Sequence, residues 1–249
     1  MSQRFLTALP VYNEATHVRA VLQEVRPYSA EILLVDDGST DGTAELLEAE
    51  PGIHVIHHAN NMGYGAALST AFEFAKRGDY EVLVTIDCDG QHEPQRIPRF
   101  VAAANEADIV SGSRYLKVYQ GDTVAPEDRR RINHLITKEL NRRLGLNLTD
   151  SFCGFKAYRV EALSQLQLTE PGYAMPLELW IQAAFADLSV MELPVPLIYL
   201  DEKRSFGGAL DDADRRLKYY CDVMDRAVAA LGPDAIERFG RKLCQDLAG

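Results

Sequence analysis

No stretch of the 249-residue sequence approaches the roughly 18 uninterrupted apolar residues that a membrane-spanning helix requires. The opening run Met1-Ser2-Gln3-Arg4-Phe5-Leu6 passes straight into a strand-like segment and lacks the apolar core of a secretory leader. Basic charge is also short: 26 Lys and Arg stand against 37 Asp and Glu, a formal net charge of -11. This argues against nucleic acid as the main partner, because its binding depends on a basic face that neutralises phosphates. A local basic cluster for a single phosphate stays open. Cysteine is scarce as well. Cys88, Cys153, Cys221 and Cys244 fall in no CxxC or Cys/His metal pattern and are too few to staple a fold of this length. Reduced thiols in a cytoplasmic protein are expected. What is plentiful is apolar residue, 47% of the chain, enough for one large α/β domain or one domain with a small appendage.

The first hundred residues alternate short apolar runs with helical patterns. Phe5 to Pro10, Glu31 to Val35, His54 to His57 and Glu81 to Ile86 read as strands with little polar interruption, as in a sheet covered by helices on both faces. Helix patterns lie between them at about Ala15 to Val25, Thr43 to Ala49 and Ala66 to Lys76, with Asp41 placed as an N-cap before Gly42. This rhythm predicts an α/β fold on a mostly parallel sheet with right-handed crossovers. Further strands are expected at Asp108 to Ser111, Phe155 to Tyr158 and Val190 to Pro196. Further helices are expected at Arg129 to Leu144 and Pro176 to Ala186. The polar segments Lys117 to Asp128 and Asp201 to Asp212 read as mobile loops. Two helices, about Ala213 to Leu231 and Pro233 to Leu247, end the chain across a Gly232-Pro233 break.

Open α/β sheets bind ligands beyond the carboxyl ends of their strands. Polar clusters fall at four such ends: Pro10-Val11-Tyr12-Asn13-Glu14, Asp36 to Gly42, Asn61-Met62-Gly63-Tyr64-Gly65, and Asp87-Cys88-Asp89-Gly90-Gln91-His92. Tight turns use the same residue types, so each cluster alone is also a plain turn. Four together, each after a strand, predict one polar crevice. Its sharpest feature is Asp87-x-Asp89. Two carboxylates one residue apart repel unless a cation or solvent intervenes. Hard oxygen ligands suit Mg²⁺ or Mn²⁺, which would bridge a diphosphate and keep several waters, and Gln91 adds a neutral oxygen. The plain alternative is a solvated acidic loop. His92 reads equally as a ligand and as a turn residue before Pro94.

The order of these pieces resembles the family 2 glycosyltransferases of the GT-A fold, and within them the polyprenyl (dolichyl) phosphate mannose or glucose synthases. The resemblance rests on Leu9-Pro10-Val11-Tyr12-Asn13-Glu14, Val35 to Thr43, Asn61-x-Gly63-Tyr64-Gly65-Ala66-Ala67 and Asp87-x-Asp89-Gly90-Gln91-His92-x-Pro94. It continues through Gly112-Ser113-Arg114-Tyr115, Asp150 to Tyr158 and Leu177-Glu178, and covers roughly residues 4 to 210. It implies a GT-A-like domain over 1–210, with a nucleotide-sugar half at 1–107 and an acceptor half at 108–210, and a helical tail at 211–249. Pro10, Tyr12 and Glu14 would line the nucleoside pocket beside Asn61 and Gly63, with Asp37 near the base. Asp87 would meet ribose or metal, while Asp89 and Gln91 would ligate Mg²⁺ or Mn²⁺. Arg114 and Arg130 would meet an acceptor phosphate, and Arg204 would cover the donor diphosphate. The sequence departs from the family pattern in three places. Ser205-Phe206-Gly207-Gly208-Ala209-Leu210 follows Arg204 where Gly-Glu-Ser-Lys is frequent; Asn133 or His134 stands where a Ser is usual; and the transmembrane helices of many members are missing.

The implied reaction is an inverting displacement that moves mannose or glucose from a nucleoside-diphosphate sugar, of the GDP-mannose or UDP-glucose type, to a polyprenyl phosphate. A phosphate acceptor is already ionised near neutral pH and needs cations to position it. Arg129-Arg130-Arg131 with Arg114 and Lys156 fit that need, though a solvated helix start explains the triplet too. A hydroxyl acceptor on a saccharide or protein would instead need a base, for which Asp150 and Glu178 are the candidates. A non-catalytic nucleotide-sugar binder is the remaining reading. The apolar face Leu217, Val223, Met224, Val228 and Leu231, near Tyr219-Tyr220, would lie on the cytoplasmic face of a membrane or pack on the domain.

Overall fold

The structure is a computed structural model that describes residues 3–200 and 208–240. Strands Phe5–Val11 (β1), Ile32–Asp36 (β2), His54–His57 (β3) and Val82–Thr85 (β4) alternate with helices Val18–Val25 (α1), Thr43–Glu48 (α2) and Tyr64–Arg77 (α3). All three pairings among these strands are parallel. β2 and β4 are buried at every position, which explains the apolar runs Ile32 to Val35 and Val82 to Val84. The second half adds Ile97–Ala103 (α4), Ile109–Ser113 (β5), Glu127–Leu144 (α5), Lys156–Arg159 (β6), Val160–Leu163 (α6), Met175–Phe185 (α7) and Val190–Pro194 (β7). The strand order is β3-β2-β1-β4-β6-β5-β7. β6 runs antiparallel between β4 and β5, and β7 pairs in parallel with β5. The sheet is thus mostly parallel, as expected. α4 is absent from the sequence reading because Pro94 and Pro98 look like breakers, although proline in a first helical turn costs no hydrogen bond.

Successive side chains on a strand face opposite sides, and this period splits the core in two. Leu6, Ala8, Leu33, Val35 and Leu83 join a layer with α3, α5 and α7. Leu9, Val11, Ile32, Leu34, Val82 and Val84 join another with α1 and α4. Two more helices, Ala213–Ala230 (α8) and Pro233–Phe239 (α9), complete the first layer. Val223, Met224 and Val228 are buried in it, and Leu217 and Leu231 pack against it. The α8 face that had a membrane as one placement therefore lies on the domain. No described helix is long and apolar enough to cross a membrane. Cys88 and Cys153 are buried thiols. Cys221 is disulfide-bonded, which corrects the expectation of four reduced thiols.

Candidate active site

The turns after β1, β2, β3 and β4 meet at the carboxyl edge of the sheet because they are cross-bonded. Asn13, left-handed at φ 55, accepts from the Thr40 amide through Oδ1 (2.8 Å) and donates its own amide to Ser39 Oγ (2.9 Å). Asp41 accepts from the amides of Ala15 (3.1 Å) and Thr43 (3.1 Å), so it closes the start of α2 from one position before Gly42, the residue in the N-cap position. Asp37 accepts from the amides of Met62 (2.9 Å) and Gly63 (2.7 Å) and sits 2.7 Å from His58 Nδ1. The third turn is thereby fixed to the second. Gly63 carries φ 105, and a Cβ there would lie 2.4 Å from the Pro171 carbonyl, so only glycine lets segment 170–173 close over the start of α3.

A cleft of about 770 Å³ opens above these turns. Its wall includes Pro10, Tyr12, Glu14, Asp37, Asn61, Gly63, Asp87, Asp89, Gln91 and Arg114, so the expected nucleoside, metal and first acceptor positions share one space. Asp87 sits in a built recess. Its Oδ1 accepts from the Tyr64 hydroxyl (3.0 Å) and its Oδ2 lies 3.2 Å from His92 Nε2. A Cβ on Gly154 would stand 2.1 Å from Oδ2 and 2.5 Å from Cγ. Burial pushes the Asp87 carboxyl up, but His92, Tyr64 and the charge of Lys156 outweigh it and hold the group below its ordinary value. Lys156 is itself buried, its ammonium donating to the Cys153 carbonyl, so it acts on the site through its field and not by contact with the cleft. Asp89 is held from within its own turn by the amide and side-chain N–H groups of Gln91, both at 3.0 Å.

Also in the wall, Arg114 grips Asp150 with two parallel bonds, Nε to Oδ2 at 2.6 Å and Nη2 to Oδ1 at 2.9 Å. Asn133 adds a third donor to Oδ1 at 2.7 Å, and the Phe152 amide a fourth at 3.1 Å. Of the two residues expected near the missing serine, Asn133 is the one in the cleft wall, while His134 is exposed. Burial alone would raise the Asp150 carboxyl; the Arg114 guanidinium and these donors instead pull it down to about 2.

Helical phase sorts the arginine triplet. Arg129, Ile132 and Asn133 share the face of α5 that lines the cleft. Arg130, one residue off that face, is exposed and outside the wall, and Arg131 is exposed 3.7 Å from Asp214. Glu178 is buried away from the cleft and accepts from the amides of Thr169 (2.8 Å) and Glu170 (2.7 Å) and from Gln182 (3.1 Å). It ties down a loop. Arg204 lies outside the described residues. Sequence reading missed Tyr64 and Gly154 as the cradle of Asp87, and missed Arg216 and Tyr220 of α8, which reach the cleft across a large sequence separation.

A GT-A-type sheet with an acidic turn at its carboxyl edge defines a nucleotide-sugar transferase architecture. The chain belongs to Glycosyl transferase family 2, whose family model matches residues 7–167, and it is an enzyme of that family. It is 32% identical over 222 residues to the undecaprenyl-phosphate mannosyltransferase of Micrococcus luteus, covering 84% of this chain and 90% of that one. It is 35% identical over 209 residues to the polyprenol monophosphomannose synthase of Mycolicibacterium smegmatis, covering 78% and 77%. Among solved structures, the glucosyl-3-phosphoglycerate synthase of Mycobacterium tuberculosis, in complex with Mn²⁺, UDP-glucose and phosphoglyceric acid, superposes with a TM-score of 0.68. The identity is 20%, over 94% of this chain and 81% of that one, a likeness of fold.

Proposed function

We propose that the protein transfers a hexose, mannose or glucose, from a nucleoside-diphosphate sugar to a polyprenyl-phosphate-type acceptor with inversion. The observation that carries this reading is the state of the two carboxylates considered as bases. Asp150 is ionised and spent on Arg114, Asn133 and backbone amides, and Glu178 is spent on a loop outside the cleft. A hydroxyl acceptor would be left without either base. An acceptor phosphate brings its own charge and meets cations instead: Arg114 and Arg129 line the wall. The two relatives, an undecaprenyl-phosphate mannosyltransferase and a polyprenol monophosphomannose synthase, point the same way.

Asp87 and Asp89 would hold Mg²⁺ or Mn²⁺ in this reading. Among the described residues no group of three or more His, Cys, Asp or Glu converges on a metal-sized point. Two carboxylates in one cleft fit a hard ion that takes its other ligands from diphosphate and water. The ion, when bound, supplies positive charge to the departing diphosphate. The chain's own part is to keep Asp87 ionised and in place through Tyr64, His92 and Gly154, to hold Asp89 through Gln91, and to orient the acceptor with Arg114. The test is transfer from labelled GDP-mannose and UDP-glucose to polyprenyl phosphate, where a glycosyl phosphate labile to mild acid is expected. An acid-stable glycoside on a saccharide or protein would point to a hydroxyl acceptor, and donor binding without transfer to a non-catalytic binder.

Gly154→Ala gives a local check. The added methyl displaces Asp87, and misplacement by about 1 Å costs roughly a hundredfold in rate. We expect that loss in kcat/KM with the far-ultraviolet circular dichroism unchanged. Activity within about twofold of wild type would show that the recess does not set the position of Asp87.

A further inference from the structure

Eight large apolar side chains are exposed among the described residues, and four of them ride on one rim of the cleft. Leu116, Val118 and Val124 are 45%, 87% and 79% exposed on the segment 114–126, and Leu200 is 64% exposed beside it. Single exposed aliphatics are ordinary; a group of them at the mouth of a site marks an interaction surface. The segment is not loose. Asp122 accepts from the amides of Tyr119 (2.7 Å) and Leu197 (2.9 Å), and Thr123 bonds the Leu197 carbonyl through its amide (2.8 Å) and accepts from the Tyr199 amide (2.7 Å). The sequence read it as a mobile loop; its own polar residues brace it against 197–199. Both ends of this brace enter the cleft wall, at Arg114 and Tyr115 and at Tyr199 and Leu200.

Charge at the rim favours an anionic partner. Lys117 and Arg130 are exposed there, with Arg129 on the same helix start, while Arg131 faces the exposed Asp214 at 3.7 Å. Of the nearby acids, Asp122 is spent on backbone amides and Asp128 pairs with Arg216, while Glu127 is exposed. A cationic, aliphatic rim on a chain of net charge -11 is matched to lipid headgroups over an apolar interior. The apolar face of α8 is already used by the domain core.

We infer that this rim is the surface by which the protein sits on an anionic membrane. Leu116, Val118, Val124 and Leu200 enter the interface, Lys117 and Arg130 meet headgroup phosphates, and the cleft opens toward the lipid. The inference rests on the lipid-phosphate reading above and names where that acceptor is met.

The experiment is flotation of the full chain with vesicles of equal parts phosphatidylcholine and phosphatidylglycerol, and with phosphatidylcholine alone. Wild type is expected to float with the anionic vesicles and less with the neutral ones. The variant Leu116→Ser/Val118→Ser/Val124→Ser is expected to lose binding by about tenfold or more. Its thermal midpoint and its transfer to a water-soluble short-chain prenyl phosphate should match wild type. Wild type that stays unbound with both vesicle types overturns the inference and leaves the rim to a protein partner; so does a variant that floats as well as wild type. Wild type that floats but transfers nothing to the soluble prenyl phosphate contradicts the functional reading instead, so the two failures are told apart.

Discussion

Asp89→Ala is expected to lower kcat/KM by roughly a thousandfold or more, the effect of removing several kcal/mol of charge stabilisation at the leaving diphosphate. Both aspartates of the turn line the cleft, but they are held differently. Asp87 is buttressed from two other parts of the chain, by Tyr64 and the Gly154 recess, and by His92 at the end of its own turn. Asp89 is half-buried and accepts from the amide and side chain of Gln91 in the same turn. Losing Asp89 therefore removes a ligand without unpacking the core, and the thermal midpoint should move by only a few degrees. The more telling readout is binding. With wild type, Mn²⁺ should raise the thermal midpoint gained from GDP or UDP, since a ligand that binds only the folded state stabilises it by mass action. In Asp89→Ala that Mn²⁺-dependent increment should vanish while metal-independent nucleotide binding remains. A variant that keeps the full increment would falsify the assignment of this pair to the cation.

The placement of the four polar turns was readable because parallel strands fix it. Each strand of the first half enters the sheet in the same direction, so each following turn must emerge at one edge, whatever the side chains do. The strand order across β4, β6 and β5 was not readable in the same way. Lys156–Arg159 has strand composition, but nothing in four residues states that it runs antiparallel. The site residues divide along the same line. Positions inside a turn, such as Asp87, Asp89 and Gln91, follow from local spacing. Positions that depend on which helix face turns inward do not: of the triplet 129–131 the resemblance pointed to Arg130, whereas the phase of α5 turns Arg129 to the cleft wall. Asp150 and Glu178 were indistinguishable as acids in sequence, and only their partners separate them, a guanidinium for one and loop amides for the other. Arg216 pairs with Asp128 across 88 positions, a distance at which no local pattern carries information.

Asp150→Ala is the second large expected effect, and it falls first on stability. The carboxylate is fully buried and takes bonds from Arg114 and Asn133, so its removal leaves a half-buried guanidinium and a buried amide without their acceptor. Breaking one side of a buried ion pair costs about 3–5 kcal/mol, which in a chain of this size lowers the thermal midpoint by roughly 10 °C. The sign of its pH dependence follows from the pull on Asp150. Its folded value, about 2, lies below the ordinary carboxylate value, so the pair's contribution is fully present above that ordinary value and fades as pH falls through about 2. The shift corresponds to roughly 2 kcal/mol. The difference between wild type and Asp150→Ala should thus stay constant from neutral pH down to about pH 5 and narrow below about pH 4. Kinetics separate packing from function. Arg114 without its anchor keeps its charge but loses its direction, so the KM for the phosphate acceptor should rise more than kcat falls, with donor KM little changed. If the stability gap fails to narrow in acid, Asp150 does not act as an ionised partner. Arg114 would then have to be held by its other contacts alone, and the case for a positioned cation in place of a base would lose its support.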